Sequence, residues 1–243
     1  MTRRYKWDEI ESIFIEAIDN AQAVNFYTRS IRLQKEQINI LDSKINQFKG
    51  FKNHAIKNKD ESIANALLGM QCMLSSLRSS LKCWISVKEN NFMESWGHLI
   101  DAHEYCDIAI KIQTFQGLEN LRVHLTGIER SIFPHWALYN SIGVLETIGK
   151  CSICSVTFND CDHLEGEIYL GRLCRRVERK IIEVNHCALV STPHDKRCIL
   201  THISRDGNSI DNFTQEPTGE LADDKDGLTA QGVIMTTKLL DLD

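Results

Sequence analysis

The chain predicts a mainly α-helical fold, a bundle or a coiled-coil arm, followed by a small metal-stabilised β module. Three observations carry this. No proline precedes Pro134 and no glycine precedes Gly50, so the strongest helix breakers are missing from most of the first half. A heptad frame, apolar at every a position, can be laid from Ile10 to Phe48. Just after Gly149 the helical period fades, and Cys151, Cys154, Cys161 and His163 follow as C-x2-C-x6-C-x-H within thirteen residues.

The heptad places Ile10, Ala17, Val24, Ile31, Ile38 and Ile45 at a, and Ile13, Asn20, Tyr27, Gln34, Leu41 and Phe48 at d. Asn20 and Gln34 interrupt the d row, where polar groups set register at a cost in stability. Phe14, Ile15 and Ile18 widen the stripe beyond a two-stranded seam, toward bundle packing. One long helix ending at Gly50 is therefore expected. After a basic turn over residues 49–59, Asp60 or Ser62 caps a second helix with Ile63, Leu67, Met70, Leu74, Leu77, Leu81, Trp84 and Ile85 on one face. Asn90-Asn91 breaks it. A third helix carries Trp96, Leu99, Ala102, Cys106, Ala109 and Ile110 inward, and a fourth runs from Leu118 to Phe133, where Pro134 stops it. Residues 136–148 read as one more short helix, bent at Gly143. An oligomer paired through the first helix and a monomeric bundle explain the heptad equally well.

Beyond Gly149 the residues Ile168–Leu170, Leu173–Val177, Ile181–Val184 and Ala188–Val190 read as short strands, with Glu165-Gly166 and Leu170-Gly171 as turns. The domain reading is a helical oligomerisation domain at 1–149, a zinc-binding β module at 150–203 and an acidic flexible tail at 204–243. A β module of this size has little core of its own, so a metal would hold it together. The C-x-x-C pair aims two thiolates at one ion, and Cys161 and His163, two apart in an extended segment, project to one face. Three sulfurs and one nitrogen suit tetrahedral Zn²⁺. Such a set leaves no open position for water or substrate, which makes the site structural, with no catalytic residue assigned. Cys174 could replace His163. Cys174, His194 and Cys198 form a second tier for a second ion, with His186 and Cys187 nearby, but contain no C-x-x-C and read more simply as core and turn residues.

Other constellations are weaker. His98, Asp101, His103 and Glu104 share a helix whose apolar neighbours point to packing. Glu165 and Glu167 lie near His163 in sequence, where a catalytic metal would need a base. His186 and Cys187 are adjacent, so on a strand they face opposite ways and cannot activate one another. Arg172, Arg175, Arg176, Arg179 and Lys180 cluster beside the metal ligands and could contact phosphate. Acidic neighbours and the lack of interleaved aromatics favour a solvated or protein-facing surface.

The run CSICSVTFNDCDHLEGEIYLGRLC, followed by HCALVSTPHDKRC, resembles a segment of prohead-protease-like proteins of tailed phages and related bacterial proteins. There C-x-x-C, C-x-H and G-x-x-Y-x-G-x-x-C precede a strand ending in V-x-x-P. The resemblance implies a zinc-clasped β module in a subunit of a larger anti-phage or phage system. The serine nucleophile of that strand is Ala188 here, with Cys187 one place away, so the resemblance implies no peptidase activity. It covers about 50 residues.

Charge sharpens the picture. Residues 204–243 hold three basic and nine acidic residues, so the net negative charge of the chain, −5 in all, resides there. The parts before it are balanced, which disfavours nucleic acid as the partner. Residues 204–230, rich in Asp, Gly, Asn, Thr and Ser, read as disordered. Residues 233–242 regain apolar character, as a docking peptide or a strand returning to the domain. No apolar run spans a membrane and no export signal is visible, so a cytoplasmic protein with reduced thiols is expected. The function expected is a non-enzymatic zinc-binding adaptor or scaffold with protein partners. The rivals are a metal-dependent nuclease or hydrolase with an open second site, and a nucleic-acid binder using the arginines.

Overall fold

A computed structural model describes residues 6–133, 138–205, 207–221, 229–236 and 238–242. Among them are five helices, α1 (Trp7–Gln22), α2 (Ile31–Lys57), α3 (Glu61–Lys88), α4 (Phe92–Ile112) and α5 (Gln116–Ile132), followed by a strand-rich region. The chain packs as two compact units that are not consecutive in sequence. One comprises Met1–Thr126, Asp162–Arg175 and Leu240–Asp243; the other comprises Gly127–Cys161 and Arg176–Leu239.

The single long helix expected from the heptad is two helices, because residues 23–30 form a connection that polar side chains hold. Gln34, fully buried, donates its amide to the carbonyls of Val24 and Phe26, both at 3.0 Å. Lys88 donates to Arg29 O at 2.6 Å and to Gln34 Oε1 at 2.5 Å. Ser80 donates to buried Asn25 at 2.9 Å, and Ser30 caps α2 by accepting from Leu33 N–H at 3.2 Å. Buried polar atoms that find partners stabilise the break more than an unbroken helix could. The buried face of α1 is Ile10, Phe14, Ala17, Ile18 and Ala21, the broad stripe of a bundle helix. Gly50 does not end α2, which continues to Lys57; the stop comes at Asn58 and at Lys59, whose φ is 57°.

Asp60 caps α3 through Ile63 N–H at 3.2 Å, and Asn91 caps α4 through Glu94 N–H at 3.4 Å. The apolar face expected on α3 is present from Leu67 to Ile85, although Ile63 is exposed and Met70 half-buried, and between Gln71 and Ser86 most other positions are buried too. Its opposite side carries Ser75, Ser76, Ser79 and Ser80, small enough to let neighbours approach, and Ser76 donates to Ala102 O at 2.7 Å. Cys72, Cys83 and Cys106 are core packing groups here. Burial pushes Cys72 and Cys106 up to about 12 and Cys83 up to about 11, so they stay thiols.

His124 on α5 packs edge-on to Phe26, and burial pulls its pKa below the ordinary 6.5. The fold favours the neutral ring, so the unfolded chain binds the extra proton as pH falls through 6.5. This contribution to stability is therefore complete above that pH and lost below it. His124→Gln is expected to lessen the drop in urea midpoint between pH 7.5 and pH 5.5; an unchanged drop would show that other groups set it.

Residues 136–148 are not helical where described. Tyr139–Glu146 is strand β1, antiparallel to β6 (Ile181–Val190), with Tyr139 opposite Val190 and Ile142 opposite Cys187. The two strands expected at 181–184 and 188–190 are this one strand. Pro134 and Trp136 lie outside the described residues. Between them come β2 (Lys150–Cys151), β3 (Ile168–Tyr169), β4 (Arg172–Leu173) and β5 (Arg176–Val177); β2 pairs with β5, and β3 with β4. The disorder expected over 204–230 is also corrected. Strands β7 (Leu200–Arg205), β8 (Asn208–Asp211), β9 (Pro217–Leu221) and β10 (Ala230–Gly232) form a sheet in the order β10-β7-β8-β9. Residues 206 and 222–228 lie outside the described set. Asn212 anchors this sheet from inside: it is buried, donating its amide to Leu200 O at 2.9 Å and its N–H to Thr201 O at 2.8 Å. Among the described residues no helix is long and apolar enough to cross a membrane.

Candidate metal centre

The first two ligands sit on a tight knuckle. Gly149 has φ 75°, and a Cβ there would lie 2.5 Å from Val177 O, so only glycine leads the chain into β2. β2 is held on one side by β5, Cys151 lying opposite Arg176. On the other side Cys151 N–H donates to Val156 O, and Cys151 O accepts from Ser155 N–H, both at 2.9 Å. Ser155 takes a left-handed φ of 62° to close the turn. Ile153 N–H points at Cys151 Sγ at 3.4 Å, an interaction that stabilises a thiolate. This folding puts Cys154 at the tip and Cys151 fully buried at the base.

A 3-10 turn at Phe158–Asp160 then returns the chain, and Cys161 follows in extended conformation. His163 sits two residues on, its ring edge-on to Tyr169 at 4.6 Å between centroids and 87° between planes. Tyr169 also accepts from Leu164 N–H at 3.1 Å. It is held on the β3–β4 hairpin, whose turn residues Leu170 and Gly171 have φ of 48° and 69°, as a type I′ turn requires. That hairpin is fixed to the helices: Gly171 N–H donates to Asn65 at 2.6 Å, Leu170 N–H to Glu61 at 3.1 Å, and Lys111 pairs with Glu167 at 2.6 Å.

The four ligand atoms of Cys151, Cys154, Cys161 and His163 all lie within 4.8 Å of one another. A tetrahedral Zn²⁺ with sulfurs at about 2.3 Å sets ligand atoms about 3.8 Å apart, so a small contraction completes the site. Three thiolates and an imidazole are a donor set that fits this ion and suits hard cations poorly. Cys154 is exposed and Cys161 and His163 are half-buried, so one side of the site faces solvent. Gly149→Ala is expected to destabilise the knuckle by about 1 kcal/mol or more, through φ and the Val177 contact. Faster metal loss to a chelator would report it; an unchanged rate would remove the glycine from the argument.

The remaining candidates are not drawn into a metal site. Among the described residues this is the one group of three or more Cys, His, Asp and Glu side chains close enough to hold an ion. Cys174 and Cys198 are buried, and burial together with Asp195 pushes the Cys198 thiol up; His194 is exposed. Glu167 is paired with Lys111 rather than set at the metal. His98 lies 3.5 Å from Glu94 on its own helix. His186 and Cys187 occupy successive, hence opposite-facing, positions of β6.

The basic cluster is divided among separate tasks. Arg172 is exposed on β4, and Arg175 donates to Leu240 O at 3.1 Å. Arg176 and Arg179 share the Glu146 carboxylate at 3.6 and 2.9 Å, and Lys180 N–H donates to Thr147 at 2.9 Å. Arg176 also lies over the Phe158 ring at 6.0 Å.

A second set of polar residues, which the sequence reading missed, surrounds the chain at 240–242. Lys52, Gln71, Lys49 and Tyr105 converge there with Arg175. The heptad signals it: one period past Ile45 is Lys52, a cation on the buried stripe and only 2% exposed.

Comparison of the chain with protein-family models, with curated proteins and with solved structures found no match.

Proposed function

We propose that the chain is a non-enzymatic adaptor or scaffold subunit whose small β region is clasped by one structural Zn²⁺. The observation that carries the reading is the gathering of three cysteines and one histidine within 4.8 Å. Four protein ligands fill a tetrahedral ion, leaving no coordination position for a reacting water. The metal then acts through folding: it ties the knuckle at 149–158 to the chain around His163, and binding free energy becomes folding free energy. The resemblance of residues 151–198 to prohead-protease-like proteins, with Ala188 at the serine position, supports a subunit of a larger assembly in the conflict between phage and bacterium. Protein partners suit the region better than nucleic acid, because Arg175, Arg176 and Arg179 already engage groups of this chain.

The test is metal content together with activity. One tightly held zinc per chain, with Co²⁺ substitution giving the absorption of a tetrahedral thiolate site, is expected. A second, exchangeable metal that supports cleavage of DNA, RNA or peptide would replace this reading with the hydrolase. Binding to nucleic acid that weakens steeply with salt, and again in Arg176→Ala, would replace it with the third reading.

A further inference from the structure

Residues 240–242 are bound to the helices in the manner of a peptide ligand. Lys52 Nζ and the Gln71 amide both donate to Leu242 O, the latter at 3.2 Å. Arg175 donates to Leu240 O at 3.1 Å. The Tyr105 hydroxyl accepts from Asp241 N–H at 3.1 Å, and Lys49 pairs with the Asp241 carboxylate at 2.6 Å. The Leu242 side chain is 5% exposed. Both carbonyl donors at Leu242 are themselves almost fully buried, Lys52 at 2% and Gln71 at 0% exposure. A desolvated amide such as that of Gln71 is tolerated when an acceptor is supplied, and Leu242 O supplies it, so the groove is built to be filled. Burial of Leu242, donors to the two leucine carbonyls and a cation for the Asp241 acid together fit this segment.

The filling segment is remote from the groove along the chain. Residues 176–239, which lead to it, pack in the other compact unit, and the described residues from Val233 to Leu242 form no helix or strand. We propose that the groove is an exchange site between copies of this chain, in which Leu240-Asp241-Leu242 of a second copy replaces the chain's own. The second copy offers the identical segment, so every contact is retained. What changes is the tether, which gives the cis segment an effective concentration of about millimolar. Reciprocal exchange restores that advantage by two-fold closure, the usual logic of segment swapping.

The experiment uses two full-length variants. In one, Leu240→Ser and Leu242→Ser disable the segment; in the other, Lys49→Glu and Lys52→Met disable the groove. Each alone is expected to sediment as a monomer, and their mixture to form a one-to-one complex, because one supplies the groove and the other the segment. A mixture that stays monomeric at about millimolar concentration overturns the proposal. If either variant loses its helical circular dichroism, a labelled peptide of residues 233–243 is titrated onto the unaltered chain instead. Saturable binding near the effective concentration of the tether, about millimolar, supports exchange, and no binding there overturns it. Neither variant touches Cys151, Cys154, Cys161 or His163, so zinc content of the same samples reports separately on the clasp.

Discussion

Cys151→Ser is expected to abolish stoichiometric metal binding, the largest single effect in the strand-rich region. Cys151 is the base of the knuckle, fully buried, paired through β2 to β5 and receiving Ile153 N–H on its sulfur. A serine hydroxyl neither ionises near neutral pH nor offers the soft donor that zinc prefers. Loss of an outer partner alone weakens metal sites by roughly 10–100-fold, so removal of a direct ligand exceeds that. Four-ligand zinc sites contribute about 10–16 kcal/mol of apparent binding energy in small modules, and that energy is what holds the fold. Elemental analysis after dialysis against a chelator should fall from about one zinc per chain to near zero, and amide exchange over 149–163 should accelerate. Cys187→Ser is the control, since Cys187 is exposed on β6 and outside the ligand group. Equal zinc in both variants would sink the clasp.

The second large effect belongs to the helices. Trp96 on α4 is the largest of the fully buried side chains, at 1% exposure. Trp96→Ala removes its burial and leaves a cavity in the helical core. Such truncations cost about 3–5 kcal/mol, against a total of about 5–15 kcal/mol for a domain. The melting temperature should drop by on the order of 10 °C. Trp96→Phe, which retains much of the volume, should lose less than half as much. Equal melting of Ala and Phe variants would mean that the site collapses freely.

The cluster of three cysteines and one histidine was legible because it is local: four potential donors in thirteen residues need no tertiary information to be grouped. The cap at Asp60, one of two residues the sequence offered, and the break at Asn90-Asn91 were legible for the same reason; that Asn91 also caps α4 was not foreseen. The break between α1 and α2 was not. Its cause is the set of bonds from Gln34, Ser80 and Lys88, and two of these come from α3, more than fifty residues away. β1 was misread because a short run such as Ile142 to Leu145 fits helix or strand equally, and the partner that decides, β6, is forty residues on. The sheet of β7 to β10 was hidden by polar composition. A local signal was the dipeptide Asp206-Gly207, a hairpin turn sequence, and Gly207 does take a φ of 75°. The groove for residues 240–242 was hidden because Gly50 was read as a helix stop, which ended the heptad count one period before Lys52.

The strap at 240–242 has a consequence for biosynthesis. Five helices and the β3–β4 hairpin are encoded before Arg175, whereas the Leu242 carbonyl that Lys52 and Gln71 bind is made later. At 5–20 residues per second the ribosome needs about 3–13 s more to reach Leu240. Throughout that interval the Leu242 carbonyl is not yet present for Lys52 and Gln71 to bind. If copies exchange this segment as proposed, the order of translation sets a window in which neighbouring chains on one messenger would meet groove to segment.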